Sequence, residues 1–71
     1  MKYLLCYKIK GWDDFFKKDY TNINSMIYEC DVFDENEMNL AIDKIKEYEK
    51  STYDLSDVWI QNCNILMFSK L

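Results

Sequence analysis

A chain of seventy-one residues can hide only about 60% of the surface its unfolded form exposes, so its core is marginal. That limit governs the rest of the reading. The chain makes one domain, residues 1–71, and domains this small usually add disulfides, a structural metal or a second subunit. The cysteines are three, Cys6, Cys30 and Cys63, an odd number that closes no complete disulfide framework and contains no CxxC pair. There is no histidine, while a structural zinc site needs four ligands drawn mostly from Cys and His. No metal and no cofactor are therefore expected. A homodimer is the remaining supplement.

Charge and hydropathy narrow the setting. Nine lysines and no arginine stand against thirteen acids, for a net charge of −4. Nucleic-acid binders usually carry a basic face, often rich in Arg, so direct binding to DNA or RNA is not expected. The N-terminal apolar run Leu4-Leu5-Cys6 is too short for a signal peptide. No stretch approaches the roughly 18 apolar residues of a membrane span. The expected setting is a reducing cytosol, with free thiols packed as small apolar side chains. Ile, Lys, Asn and Tyr supply 28 residues, and Ala, Gly, Pro and Arg together only two. That bias indicates AT-rich coding DNA, so the absence of Arg reflects codon usage as well as chemistry.

Periodicity then sets out the elements. Lys2 to Lys10 alternates Tyr3, Leu5, Tyr7 and Ile9 with Lys2, Leu4, Cys6, Lys8 and Lys10, the period of a strand. Gly11, the only glycine, is expected to end it in a turn with positive φ. Residues 11–24 read as a long loop, with Asp13 capping a short helical turn through Lys18. Ser25 to Phe33 reads as a second strand with Met26, Tyr28, Cys30 and Val32 on one face. Asp34 and Glu37 have capping-box spacing. Behind them Met38, Ala41, Ile42, Ile45 and Tyr48 recur at three and four residues, predicting a helix over about 35–50. Its first turn is acidic and Lys46 and Lys50 lie toward its end, as the helix dipole favours. Ser51 to Asp54 breaks the pattern. Val58 to Phe68 is strand-like again, as one strand with a bulge or as a hairpin of 58–61 with 65–69 turning at Asn62–Asn64.

These elements predict an α+β domain. Its antiparallel sheet has three strands, or four if the last segment folds back, with one amphipathic helix on one face, in the order β-β-α-β(-β). The other face would carry large apolar side chains, which on a soluble protein mark an interface. A symmetric homodimer is the simplest cover.

Catalytic chemistry is thinly supplied. Without histidine the usual general base and the Cys–His pair are missing. One glycine cannot build a Walker loop, a GxGxxG turn or a GxSxG elbow. Asp13–Asp14 and Asp54/Asp57 are the available acid pairs, and such acids are more often solvated surface. The densest candidate is the aromatic loop. Trp12, Phe15, Phe16 and Tyr20 could stack on a nucleobase while Lys17 and Lys18 face phosphate, stacking being worth roughly 1–3 kcal/mol per base. The competing reading is that these rings plug the end of a small core. Trp59 and Phe68, inside apolar strands, read as core. Asp31, Asp34, Glu35, Glu37 and Asp43 could form an acidic surface mimicking nucleic acid, although −4 is ordinary for a small soluble domain.

Lys2-Tyr3-Leu4-Leu5, Ile42-Asp43-Lys44-Ile45-Lys46 and Asp57-Val58-Trp59-Ile60 give a layout that resembles small accessory proteins of low-GC bacteriophages. Some of these resemble anti-defence factors, including dimeric sponges that trap nucleotide-derived immune signals. The resemblance implies a homodimer in the host cytosol that sequesters such a signal without cleaving it. Those relatives are glycine-rich in the first loop, where this chain has only Gly11. The ligand-binding residues Trp12, Phe15, Phe16, Lys17, Lys18 and Tyr20 are accordingly nominated from local chemistry. The alternative is a protein-binding inhibitor of a host enzyme acting through the acidic surface.

Overall fold

Four elements form in the order β-β-α-β: β1 (Lys2–Asp13), β2 (Lys18–Glu29), α1 (Glu35–Tyr53) and β3 (Val58–Lys70). The structure, a computed structural model, describes residues 1–53 and 55–71. The strands make one antiparallel sheet in the order β2-β1-β3, which is the expected α+β class. The fourth strand does not form, since Val58–Lys70 is a single strand.

Alternation decides what each face carries. Leu5, Tyr7 and Ile9 of β1 are fully buried on the helix side, with Tyr28 of β2 and Cys63 of β3 beside them. From the helix, Ala41, Ile45 and Glu49 meet them, one helical turn apart. Tyr48 is exposed, so the third step of the buried stripe is an acid and not the expected tyrosine. On the other side of the sheet lie Leu4, Cys6, Lys8, Lys10 and Trp12 of β1, flanked by Ile23 and Ile27 of β2 and by Trp59 and Met67 of β3. The open face is this second side.

The aromatic loop of the sequence reading is mostly strand. β1 runs through Gly11 to Asp13 and pairs with β2 without a break from Lys2↔Glu29 to Asp13↔Lys18. Asp13 does cap, but it closes a hairpin: its Oδ1 accepts from the backbone N–H of Phe15 (3.0 Å) and Phe16 (3.1 Å), an Asx-type turn. The left-handed residue is Lys17, with φ 54°, and Gly11 has no positive φ. What Gly11 supplies is closeness. A Cβ there would stand 2.3 Å from the carbonyl oxygen of Trp59 and 3.1 Å from its carbonyl carbon. Strand interiors use glycine where another backbone approaches this tightly.

β2 begins seven residues earlier than the sequence reading placed it because its inward positions are polar. Asn22 and Asn24 face the helix and bond to it: Asn22 Nδ2 donates to Glu49 Oε2 (3.0 Å) and Asn24 Nδ2 to the Tyr53 hydroxyl (3.0 Å). The second bond accompanies the helix past Lys50 to Tyr53; Asp54 lies outside the described residues. The helix start is as expected, with Glu37 N–H donating to Asp34 Oδ1 (2.9 Å). The reciprocal half of the capping box is not used, because the Glu37 carboxylate accepts instead from the Tyr28 hydroxyl (2.6 Å). In β3 the register shifts twice, leaving Gln61 and Leu66 as extra residues. Asn62 and Asn64 are ordinary outward positions of the strand.

Replacing Gly11 with Ala puts a methyl against backbone, which cannot rotate away. Overpacking of this kind costs about 1–3 kcal/mol. Urea unfolding of Gly11→Ala should show a lower midpoint with an unchanged slope; an unchanged midpoint would mean that β1 and β3 do not approach so closely.

Candidate functional site

Three places could do chemistry or bind: the buried acid, the hairpin tip and the open face. Glu49 is the one charged group that is wholly buried among the described residues, and sequence reasoning passed over it as surface. A buried carboxylate is a usual mark of an active site. Here both oxygens are occupied, Oε1 by the Tyr7 hydroxyl (2.5 Å) and Oε2 by Asn22, and no surface is left for a substrate. Burial, then the bond and charge of Glu49, raise the Tyr7 hydroxyl above its ordinary range. The cysteines are unlike activated nucleophiles. Burial pushes the Cys63 and Cys30 thiols up, away from the thiolate form that attacks. No group of three or more metal-ligating side chains occurs among the described residues.

The structure divides the nominated ligand residues. Phe15 and Phe16 sit at the hairpin tip, 70% and 66% exposed, edge to face with ring centroids 4.9 Å apart. Lys18 Nζ lies 5.5 Å from the centre of the Phe16 ring. These three are brought together, and the rings do not plug the core. Lys17 is turned to Asp14, at 2.8 Å, and this pairing holds the Asp14 carboxyl below its usual range. Tyr20 is half-buried on the helix side, where it helps line a shallow recess of about 200 Å³ with Phe15, Phe16 and Tyr53. That recess also carries Asp13 and Asp57, and carboxylates oppose a phosphate. Of the two acid pairs, Asp13–Asp14 is committed to the turn and to Lys17, and Asp54 of the other lies outside the described residues.

Trp12 lies on the opposite side of the sheet from Tyr20, with its side chain near the Asp14 carboxyl. It belongs to the open face, and directly opposite it across β1–β3 is Trp59. Trp59 is 72% exposed and Trp12 37%, which corrects the placement of Trp59 in the core. Phe68 is also partly exposed, though its ring packs on Phe33 with centroids 4.7 Å apart. The sequence offered no signal for the tryptophan pair, because the two residues meet only through the register of a long-range strand pairing. Toward the opposite end of the same face Ile27, 58% exposed, pairs with Leu4, and Cys6 pairs with Met67, while Ile23, 63% exposed, lies mid-strand opposite Lys8. On the other side a cleft of about 580 Å³ between the end of β2 and α1 is lined by Asp31, Glu37, Asp43 and Glu47 together with Lys44. Lys44 Nζ lies 5.5 Å above the Tyr28 ring.

Comparison with protein-family models, curated proteins and solved structures found no match to this chain. No helix among the described residues is long and apolar enough to cross a membrane.

The Tyr28–Glu37 bond gives a pH test. The bond, with burial behind it, pushes the Tyr28 hydroxyl up to about 12 from 10.0. Below the unfolded value both states hold the proton and the contribution is complete. Between about 10 and 12 the unfolded chain releases it while the folded chain retains it, so stability falls across that window as pH rises. Urea midpoints measured from pH 8 to pH 12 should drop less for Tyr28→Phe than for the parent. Parallel curves would show that the bond does not form.

Proposed function

We propose that this chain is a non-catalytic binding protein that associates with a second copy of itself through the aliphatic end of its open sheet face. The observation that carries the reading is the exposure of Ile27 beside Leu4, with Cys6 and Met67 in the next row and Ile23 one row further opposite Lys8, on the side of the sheet away from the helix. Fully burying such a side chain is worth about 1.5–3 kcal/mol, and a marginal core gains most from it. From the molecule's extents of 40 × 18 × 17 Å the aliphatic end is about half of the face, roughly half of the ~800 Å² each partner contributes to a standard interface, as in a weak, concentration-dependent contact. Lys2 and Glu29 share the row that borders the patch, so a twofold-related copy meets opposite charge as well as like.

Within this reading the dimer holds a nucleotide-derived ligand without transforming it, in the cytosol of an infected host, as the phage resemblance implies. Support comes from side chains suited to holding a ring and a phosphate, the exposed aromatics and the nine lysines, in a sequence without histidine. A second reading, an inhibitor that engages a basic surface of a host enzyme, is favoured by the acidic cleft beside α1.

Sedimentation velocity across a range of concentrations tests the first reading. The parent should run as a dimer and Ile23→Lys with Ile27→Lys as a folded monomer. A parent that remains monomeric at high micromolar concentration would remove this role of the face. If such a monomer is captured by a host enzyme, and Glu37→Gln with Glu47→Gln abolishes capture, the second reading replaces the first.

A further inference from the structure

The aliphatic patch occupies one end of the open face. Leu4 and Trp12 are eight residues apart along β1, roughly 26 Å at the usual strand rise, so the other end forms a separate surface. Three observations meet there. Trp12 and Trp59 are direct cross-strand neighbours, and side chains so placed have Cβ atoms about 4.5–5.5 Å apart. Their exposure, 37% and 72%, leaves indole surface available to a flat guest. Next, the local backbone is irregular beside this pair. Gly11, adjacent to Trp12, is the position where β3 comes too close for any side chain. The extra residue Gln61 lies two places from Trp59, and bulges re-aim side chains near binding sites. Third, polar side chains flank the rings in register. Asp19 pairs with Trp12, and the neighbouring row holds Thr21, Lys10 and Asn62. A depression of about 220 Å³ is lined by Lys10, Asp19, Thr21 and Gln61.

We infer that this end of the face is a binding site for a nucleoside monophosphate. The base lies on Trp59 and Trp12, a ribose hydroxyl donates to the Asp19 carboxylate, and the phosphate meets Lys10. Every base offers a π-face, which is why stacking on aromatic side chains tolerates any of them. Lysine acts on phosphate as a point charge and needs no fixed geometry. Lys10 stands one row from Trp12, roughly 6–7 Å along the strand, comparable with the reach from a base to its 5′-phosphate. Asp19 discriminates against longer phosphate chains, which would bring more negative charge beside it. The hairpin tip lacks this balance, since Lys17 is held by Asp14 and the recess below the rings is acidic. The inference rests on reading the chain as a binding protein and does not require the dimer.

The chain has two tryptophans and both belong to the site, so their fluorescence reports on it directly. With excitation beyond nucleotide absorption, adenosine 5′-monophosphate should quench saturably, adenosine more weakly, and inorganic phosphate not at all. Lys10→Gln should bring the monophosphate down to the affinity of adenosine. Trp59→Ala should weaken both by about five- to a hundredfold, the loss of one base–aromatic stack. Both positions are exposed, and an unchanged melting temperature checks that the variants fold. A short oligonucleotide that outcompetes the monophosphate would overturn the assignment in favour of a single-strand platform. Absence of quenching at millimolar monophosphate would overturn it too. If the emission then shifts to the blue with rising protein concentration, the indoles are a contact between copies. Sedimentation of the same samples reads the dimer independently, so failure here leaves that reading standing or falling on its own result.

Discussion

One helix cannot cover both sides of a sheet, and this constraint shapes the molecule. α1 spends its buried stripe on Leu5, Tyr7 and Ile9 of the central strand and on their neighbours Tyr28 and Cys63. The opposite side of β1 is left with Leu4, Cys6, Lys8, Lys10 and Trp12. A larger chain would lay a second helix or sheet there. Here the hydrophobic driving force on that side is unspent within the described residues, and it is available to whatever docks.

The core compensates for its size with polar bonds as well as apolar contacts. Glu49 stands where an apolar residue would continue the Ala41–Ile45 stripe. Its two oxygens join α1 to the central strand through Tyr7 and to the edge strand through Asn22. Tyr28–Glu37 repeats the device at the other end of the helix and Asn24–Tyr53 near its last turn. No buried side-chain nitrogen or oxygen among the described residues lacks a partner. A buried network of this kind costs little only when every member is satisfied, and it then fixes the placement of a helix more specifically than apolar contact does.

What the sequence made legible follows from where its signals are local. Alternation in 2–10, the Asp34–Glu37 spacing and the 3–4 repeat behind it are each written within a few residues, and the class and element order followed from them. The early part of β2 was missed because Asn22 and Asn24 look like loop residues until their partners Glu49 and Tyr53 are known. Asn62 and Asn64 left a hairpin and a bulged strand both open, and the bulged strand forms: they are the outward half of an alternation, with the Gln61 bulge beside Asn62. Gly11 pointed to a turn by propensity, yet its role is set by a carbonyl forty-eight residues on. At the candidate site only Trp12 was nominated. Trp59, Lys10 and Asp19 join it through strand register, which no local pattern encodes.

The irregular features of β1 and β3 are not scattered. The glycine, the Gln61 bulge and the exposed tryptophan pair fall within three residues of one another along two paired strands. The core takes part in this, since Gly11 is itself buried and its row brings in Tyr20 and Ile60, both packed against the core cluster. Drawing β3 in against Gly11 seats Ile60 on the core from the helix side and brings Trp59 level with Trp12 on the other. Local departures from regular pairing persist when something else repays them; the packing of Ile60 and Tyr20 does so here on the helix side, and it leaves the indole pair on the other side free for the guest inferred above.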